Sequence, residues 1–248
     1  MNEKKPSGLF RAVKALVRAV YPKITVEGLE NLPAGEAVLV GNHAQIHGPI
    51  SAELYLGDDR WTWCAGQMMN RPEIAAYAYQ DFWSQKPAAT RWIYKGLSHL
   101  IVPLALFIFG NANAIPVYRD ARVLATFRET LDRLAEGDKI VIFPEHDVPR
   151  NDVLCDFQDR FVDVARLYYG KCRKELSFIP MYVAPRLKKI VLGTPIPFDA
   201  QRPIEEERRR ICEALMDAVT ALCRTQPRHV VIPYRNTSKK DYPVNRPD

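Results

Sequence analysis

A short apolar run that ends abruptly in polar residues limits the folds open to this chain more than any other feature. The run is Ala37-Val38-Leu39-Val40, and Gly41, Asn42 and His43 follow it directly. Apolar runs of this length that end in turn residues are typical of buried strands. In α/β proteins the polar residues at the ends of such strands lie at the rim of the sheet and form the functional sites. His43 is therefore a candidate base held in place by a rigid element.

Further short apolar runs alternate with amphipathic segments along the 248 residues. The predicted strands are residues 24–26, 38–40, 61–65, 114–117, 139–143, 176–183 and 190–192. The predicted helices are residues 71–82, 88–100, 123–135, 153–169 and 203–222, together with one that begins at Pro49. This alternation predicts an α/β fold, a single domain with a mixed central sheet flanked by helices. We expect the domain to span residues 24–232, preceded by a helix in 1–23 and followed by a flexible tail in 233–248.

Residues 1–23 predict a basic amphipathic helix, because apolar side chains recur at helical spacing with lysines and arginines between them. Such a helix can lie on an anionic bilayer, or it can pack on the core of the domain. The longest apolar run, residues 100–109, is interrupted by Pro103 and is shorter than the ~20 residues of a membrane span. We therefore expect peripheral attachment rather than a spanning segment.

Charge and cysteine content indicate the kind of partner and the compartment. A formal net charge of +6 favours phosphates, anionic lipid or nucleic acid. No nucleic-acid-binding motif accompanies the basic residues, so nucleic acid is not an expected partner. The five cysteines contain no CxxC pair, which is typical of a reducing cytoplasm. We expect a cytoplasmic protein, peripheral on the cytoplasmic face of a membrane.

Polar groups follow three of the predicted strands: Asn42-His43, Tyr118-Arg119-Asp120 and Pro144-Glu145-His146-Asp147. A neutral imidazole near a helix N-terminus can take a proton from an alcohol, because the helix field disfavours the charged form. An arginine can grip a phosphate with two parallel hydrogen bonds. Together they suit transfer of a group onto a hydroxyl of a phosphate-bearing molecule. Taken singly, Arg119 could merely pair with Asp120, and Glu145 could cap a following helix.

In order and wording these motifs resemble those of the glycerophospholipid acyltransferases of the 1-acylglycerol-3-phosphate type. Asn42-His43 resembles the start of the first family motif, a histidine followed after four residues by aspartate. Ala114-Ile115-Pro116-Val117-Tyr118-Arg119 resembles the second, whose arginine is assigned to the phosphate of the acceptor. Phe143-Pro144-Glu145 resembles the third, which is linked to acceptor binding, and Ile179-Pro180 resembles a weaker fourth block.

The resemblance implies a reaction of phospholipid synthesis in which His43 deprotonates the acceptor hydroxyl. The oxygen then attacks the thioester carbonyl of acyl-coenzyme A or acyl carrier protein. The implied acceptor is a lysophospholipid or glycerol phosphate, bound by Asn42, Arg119, Phe143 and Pro144. No metal or other cofactor is implied. The expected membrane partner is an anionic membrane surface.

The sequence departs from the family pattern at two positions. Gly48 stands where the motif has aspartate, and His146 stands where glycine follows Phe-Pro-Glu. Loss of the orienting carboxylate costs a serine protease about 10⁴ in rate. Residues that could replace this aspartate are Glu145, Asp147, His47 and Asp81. Our hypothesis is that Glu145 does so, because it already belongs to the shared site.

Two other functions remain open on these residues. The first is a catalytically inactive, lipid-binding relative in which Arg119 still holds a phosphorylated lipid. The second is a metal-dependent hydrolase, because His43 and His47 are four residues apart and Glu145-His146-Asp147 could add ligands. Against the second, Gly48-Pro49 predicts a helix that begins only after His47, so the two imidazoles need not face the same way.

Overall fold

The computed structural model describes residues 6–84 and 86–246. Parts of two predictions, residues 1–5 of the N-terminal helix and residues 247–248 of the tail, lie outside the described residues. The strands are β1 (Thr25–Glu27), β2 (Ala37–Gly41), β3 (Arg60–Ala65), β4 (Ala114–Val117), β5 (Lys139–Ile142), β6 (Glu145–Pro149), β7 (Cys155–Phe157), β8 (Ser177–Ala184), β9 (Lys189–Leu192) and β10 (Ile196–Pro197). The helices are α1 (Gly8–Val20), α2 (His47–Tyr55), α3 (Arg71–Trp83), α4 (Arg91–Asn111), α5 (Val123–Ala135), α6 (Asp163–Cys172) and α7 (Ile204–Thr225).

The chain forms two compact units. The sheet unit consists of Pro22–Thr62 and Glu129–Asp248, and the helical unit consists of Met1–Tyr21 and Trp63–Arg128. The boundaries cut through β3 and α5, so that Trp63–Ala65 at the end of β3 belongs to the helical unit, beside β4.

The sheet unit contains the strand order β1-β9-β8-β2-β5-β3, and β10 pairs with β8. The central strand β2 runs parallel to both of its neighbours, so Val40 pairs with Ile142 of β5 and with Pro180 of β8. Parallel strands paired in this register end at the same edge of the sheet. The residues that follow β2 and β5, including His43 and Glu145, are therefore delivered to one place.

Side chains of the central strands are buried almost completely, as expected for parallel strands covered on both faces. Val38, Val40, Ile140 and Val141 expose none of their surface. β9 pairs antiparallel with β8 and parallel with β1, which makes the sheet mixed. The predicted α/β fold, with a mixed central sheet and flanking helices, is confirmed.

The helical unit exposes an unusual amount of apolar surface. In α1 the ring of Phe10 packs edge-on against Phe107 of α4, with ring centroids 6.0 Å apart. The remaining apolar side chains of α1 face outward, and Leu16 and Val20 are 65% and 77% exposed. Within α1 the buried residue is Phe10.

The helix around Pro103 is longer than the sequence predicts. Instead of ending near residue 100, the helical segment runs from Ala88 to Asn111, 24 residues, and is long and apolar enough to cross a membrane by length and composition. Proline removes one backbone hydrogen bond, and α4 continues through it. The length of the helix is therefore not that of the apolar run, residues 100–109, which is what the sequence prediction considers.

Two further segments differ from expectation. Residues 153–169 are not one helix, because Cys155–Phe157 forms β7 against β6 and α6 starts only at Asp163. The Asn151 side chain starts this departure, since its Oδ1 accepts the backbone N–H groups of Val153 and Leu154 in a local turn.

In the segment 233–246, for which the sequence predicts a loose tail, buried Asn245 donates to the carbonyls of Cys223 and Gln226 and so ties the segment down.

Candidate active site

The site begins with Asn42, which anchors the chain as it leaves β2. Its amide nitrogen donates to the carbonyl of Val183 at 3.1 Å, and its Oδ1 accepts the Val183 N–H at 2.7 Å. The side chain is 2% exposed. The sequence places Asn42 in substrate binding, whereas in the structure its amide joins the end of β2 to β8 and fixes where the next residue starts.

A tight turn follows, from His43 to the first residues of α2. Ala44 and Gln45 have φ angles of 44° and 56°, in the left-handed region that non-glycine residues seldom occupy. The N–H of His47 donates to the Ala44 carbonyl, and the N–H of Gly48 donates to the His43 carbonyl at 3.0 Å. Strained residues of this kind persist only where surrounding contacts determine the backbone. The surrounding contacts thus fix the backbone conformation of the loop that carries His43.

The imidazole of His43 is half-buried and has defined neighbours. Its Nδ1 contacts the main-chain carbonyl oxygen of Gln45. Because a carbonyl oxygen only accepts, Nδ1 carries the hydrogen of this bond. Edge-on ring contacts from Phe143 and Tyr234, with centroids 5.5 and 5.7 Å away, limit how the ring can turn. The structure therefore brings Phe143 against His43.

Glu145 meets His43 through the backbone. Its Oε2 accepts the N–H of His43 at 2.5 Å, and its Oε1 accepts the N–H of Cys155 at 3.0 Å. The residue is 3% exposed, and Pro144 before it is buried as well. We hypothesised that Glu145 orients the imidazole in place of aspartate; its carboxylate instead holds the main chain of the loop that presents the ring.

The protonation of Glu145 is set by this burial. Desolvation raises the pKa of its carboxyl from the ordinary 4.5 to about 7, and the two backbone N–H groups offset part of that rise. The ionised form accepts both hydrogen bonds well, whereas the protonated form turns one oxygen into a donor. The grip on the His43 loop is accordingly sensitive to pH near neutrality.

Gly48 lies where the family motif has aspartate, and the structure shows why a side chain does not fit. A Cβ at this position would lie 2.6 Å from the His43 carbonyl oxygen, 2.9 Å from Cε1 of Phe143 and 3.1 Å from the Asn42 carbonyl oxygen. Two of these three neighbours are backbone atoms of the loop itself. Glycine is therefore required for the close approach of α2 to the loop.

The other residues considered as substitutes or ligands are placed differently. His47 is the first residue of α2, and burial together with the charge of Arg186 lowers the pKa of its imidazole. Asp147 is exposed, 3.9 Å from Arg235, and Asp81 belongs to α3 of the helical unit. Among residues 6–84 and 86–246, no group of three or more His, Cys, Asp or Glu side chains is placed to hold a metal ion. His43, in the turn, and His47, in the helix, do not share one helix face.

Arg119 follows β4 in the helical unit and is exposed. The alternative pairing with Asp120 is not what forms, because Asp120 is bound by Arg122 at 2.7 Å. Arg122 also pairs with Glu73 at 3.0 Å and lies 3.8 Å from the centre of the Tyr118 ring. Hydrogen bonds from Arg122 lower the pKa of the Asp120 carboxyl to about 2. Asp120 thus stays ionised and engaged with Arg122.

Sequence reasoning missed three residues of the His43 surroundings: Gln45, Tyr234 and Tyr242. The Gln45 side chain donates to the Tyr242 hydroxyl at 2.8 Å, and both tyrosines lie in the segment that the sequence predicts to be loose. The one signal available was the pair of tyrosines itself, since large rings are uncommon in solvated tails. The contribution of Gln45 through its carbonyl could not be read from its side chain.

We expect Gly48→Ala and Gly48→Asp to destabilise the sheet unit, because the new Cβ meets backbone that cannot give way without moving His43. Overpacking of this kind costs about 1–3 kcal/mol. The control is Gly170→Ala in α6, where a Cβ meets nothing within 4 Å. Urea unfolding measures both variants. A Gly48→Asp protein as stable as wild type would contradict the close approach.

We expect Glu145→Gln to remove a pH dependence of stability. A folded-state pKa near 7, above the ordinary 4.5, means that the folded protein keeps a proton that the unfolded chain loses. The free energy of unfolding then falls as pH rises through this window, by roughly 3 kcal/mol for a shift of this size. Urea titrations at about pH 5 and about pH 8 should show the fall in wild type and in the control Glu175→Gln, whose carboxyl is exposed. An equal fall in Glu145→Gln would assign the effect to another group.

Comparison with known proteins finds similar chains among the solved structures. The chain is similar to the crystal structure of the 1-acyl-sn-glycerophosphate (LPA) acyltransferase from Thermotoga maritima, with 14% sequence identity and a TM-score of 0.48. The similarity covers 86% of this chain and 79% of that chain. No protein-family model and no curated protein matches the chain.

Proposed function

We propose that this protein is an acyltransferase that moves a fatty acyl group from a thioester to a hydroxyl of a phosphate-bearing acceptor. The observation that carries the proposal is the loop at the end of β2, whose backbone conformation is fixed by its contacts. It presents one imidazole at the sheet edge, with Nδ1 on the Gln45 carbonyl and the Phe143 ring against the imidazole, while Glu145 accepts the His43 N–H. The left-handed backbone of Ala44 and Gln45 and the ring contacts of Phe143 and Tyr234 place this one imidazole, as expected for a catalytic base.

In the proposed reaction His43 takes the proton of the acceptor hydroxyl as its oxygen attacks the thioester carbonyl. The carbon–sulfur bond breaks, and the imidazolium returns the proton to the departing thiolate. The products are the ester and the free thiol, so atoms and charge balance. The donor is acyl-coenzyme A or acyl carrier protein, and a lysophospholipid or glycerol phosphate is the acceptor that the motif resemblance implies.

Arg119 is the proposed ligand of the acceptor phosphate. The exposure of Arg119 supports this role. The carboxylate of the adjacent Asp120 supports it as well, because that carboxylate binds Arg122. Phe143 has a place in the proposed site through its contact with His43. Asn42 is buried and holds the end of β2 on β8, and Pro144, which the resemblance also assigns to substrate binding, is buried.

The proposal is tested by supplying purified protein with labelled acyl-coenzyme A or acyl carrier protein and lysophosphatidate. We expect acylated lipid, and a loss of about 10²- to 10⁴-fold in kcat for His43→Ala. Arg119→Ala should raise KM for the phosphate-bearing acceptor by roughly 10-fold or more, the loss of a charge-assisted hydrogen bond. Arg128→Ala, an exposed arginine of α5, is the matched control for charge.

Two outcomes would count against the proposal. Undiminished turnover in His43→Ala would remove the base. No turnover with any combination of the two donors and of phosphate-bearing and phosphate-free acceptors would favour the inactive, lipid-binding alternative. In that case Arg119→Ala should still weaken lipid binding relative to Arg128→Ala.

We further propose that the helical unit attaches the protein to an anionic membrane surface. Exposed apolar side chains of α1 and α4 support this, above all Leu16, Val20, Trp92 and Leu100, which are 65% to 77% exposed. Several large apolar side chains exposed on the same two helices are typical of membrane or protein contacts. Arg11, Lys14 and Arg18 on α1 supply the positive charge that attracts acidic headgroups.

We expect the protein to sediment with vesicles that contain anionic phospholipid, and less with neutral vesicles or at high salt. Leu16→Glu and Leu100→Glu should each lower the partition coefficient by roughly 10- to 100-fold, the loss of one buried leucine. Leu167→Glu in α6 is the control, an exposed leucine of the sheet unit. Equal losses in all three variants would contradict a membrane-binding role that is specific to the helical unit.

A further inference from the structure

The absence of an aspartate at position 48 raises the question of what orients the His43 imidazole. The present loop has no room for a side chain at position 48, because a Cβ there would lie 2.6 Å from the His43 carbonyl oxygen. The loop is therefore built for a different orienting group. The structure also places the carboxylate of Glu145 on the main chain of His43 and not on its ring.

The Gln45 carbonyl contacts Nδ1 of the ring and can only accept. Nδ1 is therefore protonated in the neutral imidazole, and the lone pair lies on Nε2. This is the tautomer that a histidine base needs when it takes a proton through Nε2, and it is the one that the aspartate of a catalytic triad also selects.

The left-handed conformations of Ala44 and Gln45 are what turn this carbonyl back toward the ring two residues earlier. An extended residue at either position would carry the chain away from the imidazole. Left-handed backbone is unfavourable for residues other than glycine. Something must compensate for that strain, and the contacts of Gln45 show what does.

The Gln45 side chain donates to the hydroxyl of Tyr242, in the C-terminal segment. That segment is itself held, because Asn245 donates to the carbonyls of Cys223 and Gln226 and its Oδ1 accepts the N–H of His229. Tyr234 of the same segment packs edge-on against the imidazole. The C-terminal segment thus touches the catalytic loop at the residue that supplies the carbonyl and at the ring that uses it.

We propose that the main-chain carbonyl of Gln45 takes the place of the orienting carboxylate, and that Tyr242 is a positioning residue that holds this carbonyl on the His43 ring. The catalytic meaning of this arrangement rests on the proposed function, but its geometry does not. A neutral carbonyl fixes the tautomer as a carboxylate does. It stabilises the imidazolium less, because a hydrogen bond to a charged acceptor is about twice as strong.

The arrangement explains how the chain can lack the family's aspartate and keep an oriented base. Most of the loss in a triad whose aspartate is replaced by asparagine comes from the wrong tautomer, about 10⁴ in rate. A backbone carbonyl cannot donate a hydrogen bond, so it cannot support that tautomer. What is lost is the additional stabilisation of charge.

Nitrogen-15 NMR of the uniformly labelled protein tests the tautomer directly, with His43→Gln identifying the resonances. At a pH where the ring is neutral we expect a protonated Nδ1 and an unprotonated Nε2. A protonated Nε2 would overturn the proposal, whatever the protein catalyses. Because this readout needs no substrate, it is independent of the success or failure of the acyltransferase assay.

Tyr242→Phe removes only the hydroxyl and tests the positioning role. We expect a mixture of tautomers in place of one, and a kcat for acyl transfer lowered about 3- to 10-fold, the worth of one hydrogen bond, with KM for the acceptor unchanged. Gln45→Ala, which breaks the same bond from the other side, should act alike, and the double variant should be no worse than either. Additive losses in the double variant, or an unaltered tautomer in Tyr242→Phe, would remove Tyr242 from this role.

The matched control is Tyr55→Phe at the other end of α2, where the tyrosine hydroxyl donates to the Pro22 carbonyl at 3.2 Å. This variant loses one tyrosine hydrogen bond in the same unit without touching the His43 loop. The tautomer and kcat should stay those of wild type. An equal effect in Tyr55→Phe would show that the changes report general loosening, and would overturn the assignment to Tyr242.

Discussion

The close approach of Gly48 to the backbone of His43 is the constraint on which the rest of the site depends. Because no side chain fits there, α2 can begin directly against the turn, and the N–H of Gly48 can close it on the His43 carbonyl. Asn42 fixes the end of β2 on β8, and the buried carboxyl group of Glu145 holds the first residue of the turn through the His43 N–H. The imidazole then contacts the carbonyl of Gln45 and the rings of Phe143 and Tyr234.

Much of this could be predicted from sequence, because periodicity and strand ends carry long-range information. The apolar runs at 37–40 and 139–143 predict buried strands. In the structure these strands pair in parallel, which places His43 and Glu145 at one edge of the sheet. The sequence also identified Gly48 as the residue that departs from the family motif. It could not show that glycine is needed there, since the atoms that exclude a side chain are backbone atoms brought close by the turn.

The errors have physical causes of the same kind. Glu145 was expected on the imidazole, but sequence does not reveal which atom of a neighbouring residue a buried carboxylate meets. The tail from residue 233 was expected to be loose because its composition is polar and rich in proline, yet one buried asparagine satisfies three backbone groups and holds it. The sequence predicts too short a helix before Pro103, because proline is expected to end a helix by removing a local backbone hydrogen bond. Gln45 acts through its carbonyl, and no property of a side chain identifies a backbone acceptor.

The central claim is that His43 activates a hydroxyl of an acceptor for direct attack on an acyl thioester. The most direct measurement is the rate of thiol release from acyl-coenzyme A, or from acyl carrier protein, as the concentration of a phosphate-bearing acceptor is raised. The account predicts a rate that rises and saturates with acceptor, matches the formation of ester, and is lost in His43→Ala. Thiol release at the same rate without acceptor, or undiminished in His43→Ala, would contradict it.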